Sequence, residues 1–277
     1  MKLIYPDNKI FSSEQFQKDK YKFYLISLNL KSKSVLLYSD EENYVLCRGE
    51  EGLPTWIWTK DNIDISKIEE IKSLMDLYLT DSDENKFTCK KELYDLLVST
   101  GYDKLNLDNY IEMGTLYCRQ TKPPKKCDGY MDTPKIEEKP ILVKYWYDDS
   151  HELNKVSPIS MEQADKDVQK MYDSNKFYIW RNDSGKIVCM VNYYSIVEGQ
   201  AKLSHVYTPI EERCKGYASN LVYNLTNNLL EQGLVPLLYT DYNYIPSNKA
   251  YINAGYEDTG ILINFSCSKK KNNNFKK

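Results

Sequence analysis

Val206-Tyr207-Thr208-Pro209-Ile210-Glu211-Glu212-Arg213-Cys214-Lys215-Gly216-Tyr217-Ala218 is the stretch that decides the fold. It reads as the end of a strand stopped by Pro209, a short polar loop, and a helix that begins at a glycine. The first amides of a helix have no intrahelical acceptor, and the helix dipole adds partial positive charge there. Such an end favours an anion. Gly216 has no Cβ, so a diphosphate approaches its backbone closely, and Ala218 is small for the same reason. Arg213 and Lys215 add charge at the rim.

Outward from this turn the pattern stays regular. Residues 216–232 predict an amphipathic helix, with Ala218, Leu221, Val222, Leu225 and Leu229 on one stripe. Gly233 ends it and Pro236 follows. Upstream, 177–180, 187–197 and 202–207 predict an antiparallel meander with turns at Asn182–Gly185 and Glu198–Gly199. A helix over 160–173 precedes it, with Ser160 as N-cap and Gln163 three residues on, the capping-box spacing. Downstream come a short strand at 237–239, a helix at 247–254 and a closing strand at 256–265. Residues 141–147 read as a strand, yet Pro140 also suits a helix start.

Arg213-x-x-Gly216-x-Ala218 matches the pattern Q/R-x-x-G-x-G/A, and here the chain resembles the GNAT family of N-acetyltransferases. Asn248-Lys249-Ala250-Tyr251-Ile252-Asn253-Ala254-Gly255-Tyr256 is similar to that family's later N-x-x-Y-x-x-x-G-[FY] signature. The resemblance covers about 177–260 well and 129–175 thinly. It implies a mixed, mainly antiparallel α/β sheet flanked by helices, with acetyl-CoA as co-substrate. Val206, Tyr207 and Thr208 would pair with the pantetheine arm, and Arg213, Cys214, Lys215, Gly216, Tyr217 and Ala218 would form the diphosphate loop. Asn248 would hydrogen-bond the cofactor or cap its helix. Tyr251 matches the family's general-acid tyrosine, which protonates the departing thiolate.

No general base follows from the resemblance. Asp241, Glu198 and His205 are the candidates near the cleft, and each also reads as structural or solvent-facing. Strand alternation points His205 away from Ser204 and Val206. Cys214 beside the helix start reads as a tolerated surface residue, not a nucleophile. A non-catalytic acyl-CoA-binding protein of the same fold is the rival function.

The run Gln120-Thr121-Lys122-Pro123-Pro124-Lys125-Lys126 reads as an extended, solvated linker. It divides the chain into an α/β domain over 1–126 and the GNAT-like domain over 127–268, with a disordered basic tail over 269–277. In the first half, 22–30, 34–37, 44–47 and 110–118 predict strands; 64–78 and 88–98 predict helices. Its order of elements looks like the degenerate half of a tandem GNAT protein. Trp56 and Trp58 fit either core packing or a substrate groove.

Composition narrows the partners. The net charge of −3, with lysines scattered among acids, argues against a nucleic-acid footprint. Seven dispersed cysteines without a C-x-x-C pair, and only two histidines, fit a reduced, cytoplasmic chain without a metal centre. The first residues lack the apolar core of a signal peptide, and no stretch reaches the length of a membrane span. Three N-x-S/T sequons read as chance. The amine acceptor, the acyl length and the oligomeric state stay open.

Overall fold

The computed structural model describes residues 2–50, 52–79, 85–153 and 158–269. In chain order it runs β1 (Lys2–Ile4), α1 (Glu14–Lys18), α2 (Tyr24–Asn29), β2 (Leu36–Ser39), β3 (Tyr44–Arg48), β4 (Thr55–Thr59), α3 (Ser66–Leu77), β5 (Asn85–Lys90), α4 (Lys91–Ser99) and β6 (Leu105–Tyr117). The second half continues with β7 (Tyr130–Asp132), α5 (Lys139–Leu153), α6 (Met161–Asp173), β8 (Phe177–Arg181), β9 (Ile187–Val197) and β10 (Gln200–Tyr207). It closes with α7 (Tyr217–Glu231), β11 (Val235–Asp241), α8 (Ile245–Asn253) and β12 (Glu257–Cys267). Apart from Lys269, the expected basic tail lies outside the described residues.

Two compact units divide these elements, and they are not consecutive in sequence. One comprises residues 1–115, 240–243 and 259–277; the other comprises 116–239 and 244–258. The division therefore differs from the linear one at Lys126. Most of β12 groups with the first unit, where Leu262–Cys267 pair antiparallel with Lys90–Asn85 of β5. The proline-lysine run is extended and largely exposed, but it belongs to the second unit and is hydrogen-bonded to it. Lys122 N–H donates to Ala254 O at 2.9 Å, and Thr121 Oγ1 to Asn227 Oδ1 at 2.7 Å. Gly255 permits this packing. A Cβ there would stand 2.5 Å from Gln120 O and 2.7 Å from Lys122 N.

The same topology occurs in both units. In the first, β1-β2-β3-β4 are antiparallel neighbours, and α3 carries the chain over to β5, parallel to β4. In the second, β7-β8-β9-β10 are antiparallel neighbours, and α7 carries the chain over to β11, parallel to β10.

The core of the first unit joins β3, β4, β5 and β12 to α3 and α4, through Leu46, Ile57, Ile71, Leu74, Phe87, Leu97 and Phe265. Trp56 and Trp58 are buried, so they are core residues and not a groove. Two first-half expectations change. The expected strand over 22–30 is instead helix α2 (Tyr24–Asn29) with its flanks, because Phe23, Ile26 and Ser27, all buried, follow helical spacing. Thr88–Lys90 end strand β5, and the helix starts only at Lys91.

A buried charge cluster stands where β4 and β5 diverge. Pairing stops at Ile57↔Cys89. Just beyond it, Lys90 meets Asp19 at 2.5 Å and Asp61 at 2.8 Å, and Trp58 Nε1 donates to Asp19 at 2.9 Å. Lys90 is 4% exposed and Asp19 8%. Removing one partner strands a buried charge. Lys90→Met is therefore expected to cost about 3 kcal/mol in urea unfolding. An unchanged midpoint would show that Asp19 is already compensated.

In the second unit, α5 and α6 cover one sheet face through Leu142, Val168, Ile179, Met190 and Tyr207. The opposite face carries α7 and α8 through Val191, Tyr193, Leu203, Leu221, Leu225 and Tyr251. Residues 141–147 belong to helix α5, with Pro140 in its first turn, where the missing N–H is not needed. Ser160 caps α6 by accepting from Gln163 N–H at 3.1 Å. The return arm of a capping box is absent, because Gln163 Nε2 donates to Asp167.

Candidate functional site

Strands β10 and β11 pair only at Gln200↔Val235, Ala201↔Pro236 and Lys202↔Leu237. Beyond that point β10 runs on to Tyr207 without a register partner on β11 among the described residues. One edge of β10 is thereby left open to another extended chain.

On its other edge, β10 is irregular. Its register with β9 passes from Ser204↔Asn192 to Tyr207↔Met190, three steps against two. His205 takes φ +55° at this bulge. A bulge breaks the alternation of side chains. His205 thus joins the α5 face, contrary to the strict alternation expected from the sequence. Its ring lies 3.8 Å from that of Trp146, edge-on. Nε2 is 2.6 Å from the Tyr194 hydroxyl, and Nδ1 is 3.8 Å from Asp149 Oδ2. The latter distance is too long for a hydrogen bond and makes an ion pair only when the ring is protonated. Burial lowers the His205 pKa, against the opposing pull of Asp149. The same burial raises that of Asp149.

The loop after β10 is braced by ion pairs. Glu212, buried, holds Lys186 at 2.6 Å and Lys215 at 2.8 Å. Arg213 donates from Nε to Thr208 O at 2.9 Å and from Nη2 to Glu152 at 2.6 Å. Arg213 and Lys215 are therefore paired within the chain, and their charge at the rim is offset by Glu152 and Glu212. Gly216 is the N-cap of α7 at φ +91°. Space does not demand glycine there, since an added Cβ would meet only ordinary contacts from 3.6 Å outward. The backbone conformation does. The first helical bond runs from Asn220 N–H to Gly216 O, so the amides of Tyr217, Ala218 and Ser219 have no acceptor within the helix. Cys214 and Lys215 are exposed beside them.

The remaining expected site residues fall as follows. Val206 is half-buried against the α7 core, and Tyr207 is buried on the α5 face. Thr208 Oγ1 approaches Cys189 Sγ at 3.2 Å. The Tyr217 hydroxyl donates to Asp128 at 3.0 Å, and Ala218 lies against the α7 core. Asn248, half-buried on α8, donates its backbone N–H to Tyr244 O at 3.4 Å. Tyr251, on α8, is 8% exposed. Burial, with the nearby Cys189 and Asp149, raises its pKa well above that of an ordinary phenol.

The three base candidates separate clearly. Glu198 is exposed in the β9–β10 turn at φ +50°, at the far end of β10 from the bulge. Asp241 caps a turn by accepting from Asn243 N–H at 2.9 Å and groups with the first unit. Only His205 sits at the bulge beside a carboxylate.

Several residues of this site were not singled out from the sequence: Trp146, Asp149, Tyr194, Lys202, Ser204 and Asn192. Trp146 and Asp149 became visible only once 139–153 proved helical. Lys202 had a signal, a lone lysine between apolar Ala201 and Leu203 in a strand. Among the described residues, no group of three or more His, Cys, Asp or Glu side chains is arranged to hold a metal. No helix is long and apolar enough to cross a membrane.

Residues 142–256 match the family model described as "Acetyltransferase (GNAT) family". No curated protein matches the sequence. Among solved structures, the chain is similar to a GNAT-family acetyltransferase from Colwellia psychrerythraea, with 12% identity and a TM-score of 0.55, covering 96% of this chain and 99% of that one. It is also similar to a GCN5-related N-acetyltransferase from Kribbella flavida, with 13% identity and a TM-score of 0.57, covering 93% and 98%. A Drosophila protein of 8% identity, covering 96% and 97%, gives a TM-score of 0.59. At these identities the likeness is one of fold, and it extends over both units.

Proposed function

From the premise that residues 142–256 carry an acetyltransferase domain of the GNAT family, we propose that this chain moves an acetyl group from acetyl-CoA directly to an amine. The observation that carries the reading is the early end of β10–β11 pairing beside a helix opened by a left-handed glycine. The open edge of β10 around Val206–Thr208 takes the pantetheine arm as an added strand. The free amides at the start of α7 take the diphosphate. A backbone N–H near the bulge polarises the thioester carbonyl as an oxyanion donor.

The amine attacks that carbonyl, and the C–S bond breaks as the C–N bond forms. Tyr251 gives its proton to the departing CoA sulfur. His205 takes the proton from the amine, directly or through Tyr194. With Nδ1–H toward Asp149, Nε2 is the acceptor on the Tyr194 side.

The first unit serves a different purpose in this proposal. Where α3 begins, Asp64 Oδ1 already accepts from Ser66 N–H at 2.8 Å, which places a carboxylate at the anion-binding end. The Lys90–Asp19–Asp61 cluster occupies the divergence of β4 and β5. This unit is therefore a degenerate GNAT half that does not take acetyl-CoA.

Calorimetry with acetyl-CoA and thiol release against a panel of amines test the reading. Gly216→Val places a β-branched residue at φ +91°, which costs at least ~1–2 kcal/mol. Acetyl-CoA is expected to bind about tenfold more weakly or worse. Wild-type protein that binds no acetyl-CoA would remove the proposal altogether.

A further inference from the structure

One half-buried cation in the second unit, Lys202, has no counter-charge among the described residues. Lys202 lies on β10 between Ala201 and Leu203, both buried in the α7 core, so its side chain leaves by the opposite face. Its Nζ stands 5.1 Å from the ring centre of Tyr194 and 5.5 Å from that of Tyr239. It donates to Ser204 Oγ at 2.8 Å. Among the described residues no carboxylate comes within ion-pair distance of it. Burial lowers its pKa to about 8.

Holding an ammonium there without an anion is costly. Two aromatic faces offset part of that cost, and one hydroxyl satisfies one of three donors. The remaining donors point to an anion that the described residues do not supply. Further polar atoms on the same face are also buried without partners: Asn192 Oδ1, beside Ser204 in the β9–β10 register, Asp149 Oδ2 and Trp146 Nε1. Buried polar atoms are nearly always paired, so orphans gathered on one face mark a place where something else binds. The set is bipolar. Lys202 offers a positive donor, while Asp149 and Asn192 offer acceptors.

We propose that the acceptor is an amine that also carries a carboxylate, with the carboxylate paired to Lys202 and the amine directed to His205 from its Tyr194 side. This rests on the acetyl-transfer reading of the same cleft. A carboxylate fits better than a phosphate, because the site has a single ammonium between two rings and no arginine fork. A phosphate dianion calls for more positive charge.

The test uses matched acceptors, the standard L-amino acids and their carboxamides, in the acetyl-CoA thiol-release assay. The free acids are expected to have kcat/KM about ten- to a hundredfold above their amides, the size of a charge-assisted hydrogen bond. Lys202→Met is expected to bring each pair to parity. Wild-type protein that uses amides as well as acids, or a Lys202→Met variant that keeps the preference, overturns the assignment. A second readout needs no turnover. Acetic anhydride labelling of Lys202, followed by peptide mass spectrometry, is run with N-acetylglycine or its amide present. Protection by the acid alone supports the proposal, and equal protection or none overturns it. Absence of acetyl-CoA binding, by contrast, sinks the transfer reading and leaves this second result to stand by itself.

Discussion

Tyr251→Phe is expected to lower kcat for thiol release about 10²- to 10⁴-fold while acetyl-CoA affinity stays within about twofold. The leaving thiolate has a conjugate-acid pKa near ~8.5, so at neutral pH a proton supplied at sulfur eases its departure. Tyr251 is suited to that task because burial keeps its phenol protonated throughout the working range. Its hydroxyl makes no hydrogen bond to any described residue, so the proton is not committed elsewhere. Phenylalanine keeps the ring that packs with Tyr256 at 6.0 Å and with the α7 core. Removing a hydroxyl that has no partner among the described residues is close to neutral for stability. Lost turnover with unchanged melting and unchanged cofactor binding therefore isolates the proton. Equal kcat in the variant would take Tyr251 out of the mechanism and leave water as the acid.

How much of this was readable in advance depended on how local each feature is. The helix start at Gly216 was legible because a strand stop, a glycine and an amphipathic stripe all lie within one short stretch. The ends of β9 and α7 were legible for the same reason. The bulge at His205 was not, since it is set by the β9–β10 register and leaves no residue signature. The strand prediction for 22–30 failed through its β-forming residues, whose burial is decided by Trp56, with Phe23 at 6.3 Å, and not by local propensity. The proline-lysine run misled because its composition is that of a linker, whereas Gly255 opens room for it. The partner of β12 lies about 175 residues earlier in β5, and no short-range pattern encodes such a pairing.

In the proposed reading, the shared topology of the two units does not give them a shared function. Both run four antiparallel neighbours into a parallel fifth strand. At the divergence of that fifth strand, the first unit places Asp19 against Lys90. The second places Lys202, with no carboxylate at ion-pair distance among the described residues, at the corresponding divergence of β10 and β11. A self-neutralised charge leaves nothing for a ligand to satisfy, whereas an unmatched one does. The difference lies in a few side chains and not in the fold.

His205→Gln is expected to lower kcat/KM about 10²-fold or more and to abolish the acid limb of its pH profile. Glutamine keeps a polar group beside Tyr194 but cannot accept the amine's proton. The sign follows from the environment. Burial depresses the folded pKa of His205 below its ordinary 6.5. The neutral, proton-accepting form is thus present at neutral pH, and activity is lost as pH falls through that depressed value. Charged neighbours set where the limb lies, and they act in opposite directions. Asp149 and Asp167 raise the pKa and Lys202 lowers it. Asp149→Asn should move the limb to lower pH, and Lys202→Met should move it to higher pH. A histidine that merely packs against Trp146 would leave the limb in place in all three variants. Displacements of opposite sign in Asp149→Asn and Lys202→Met identify the titrating group as the one between them.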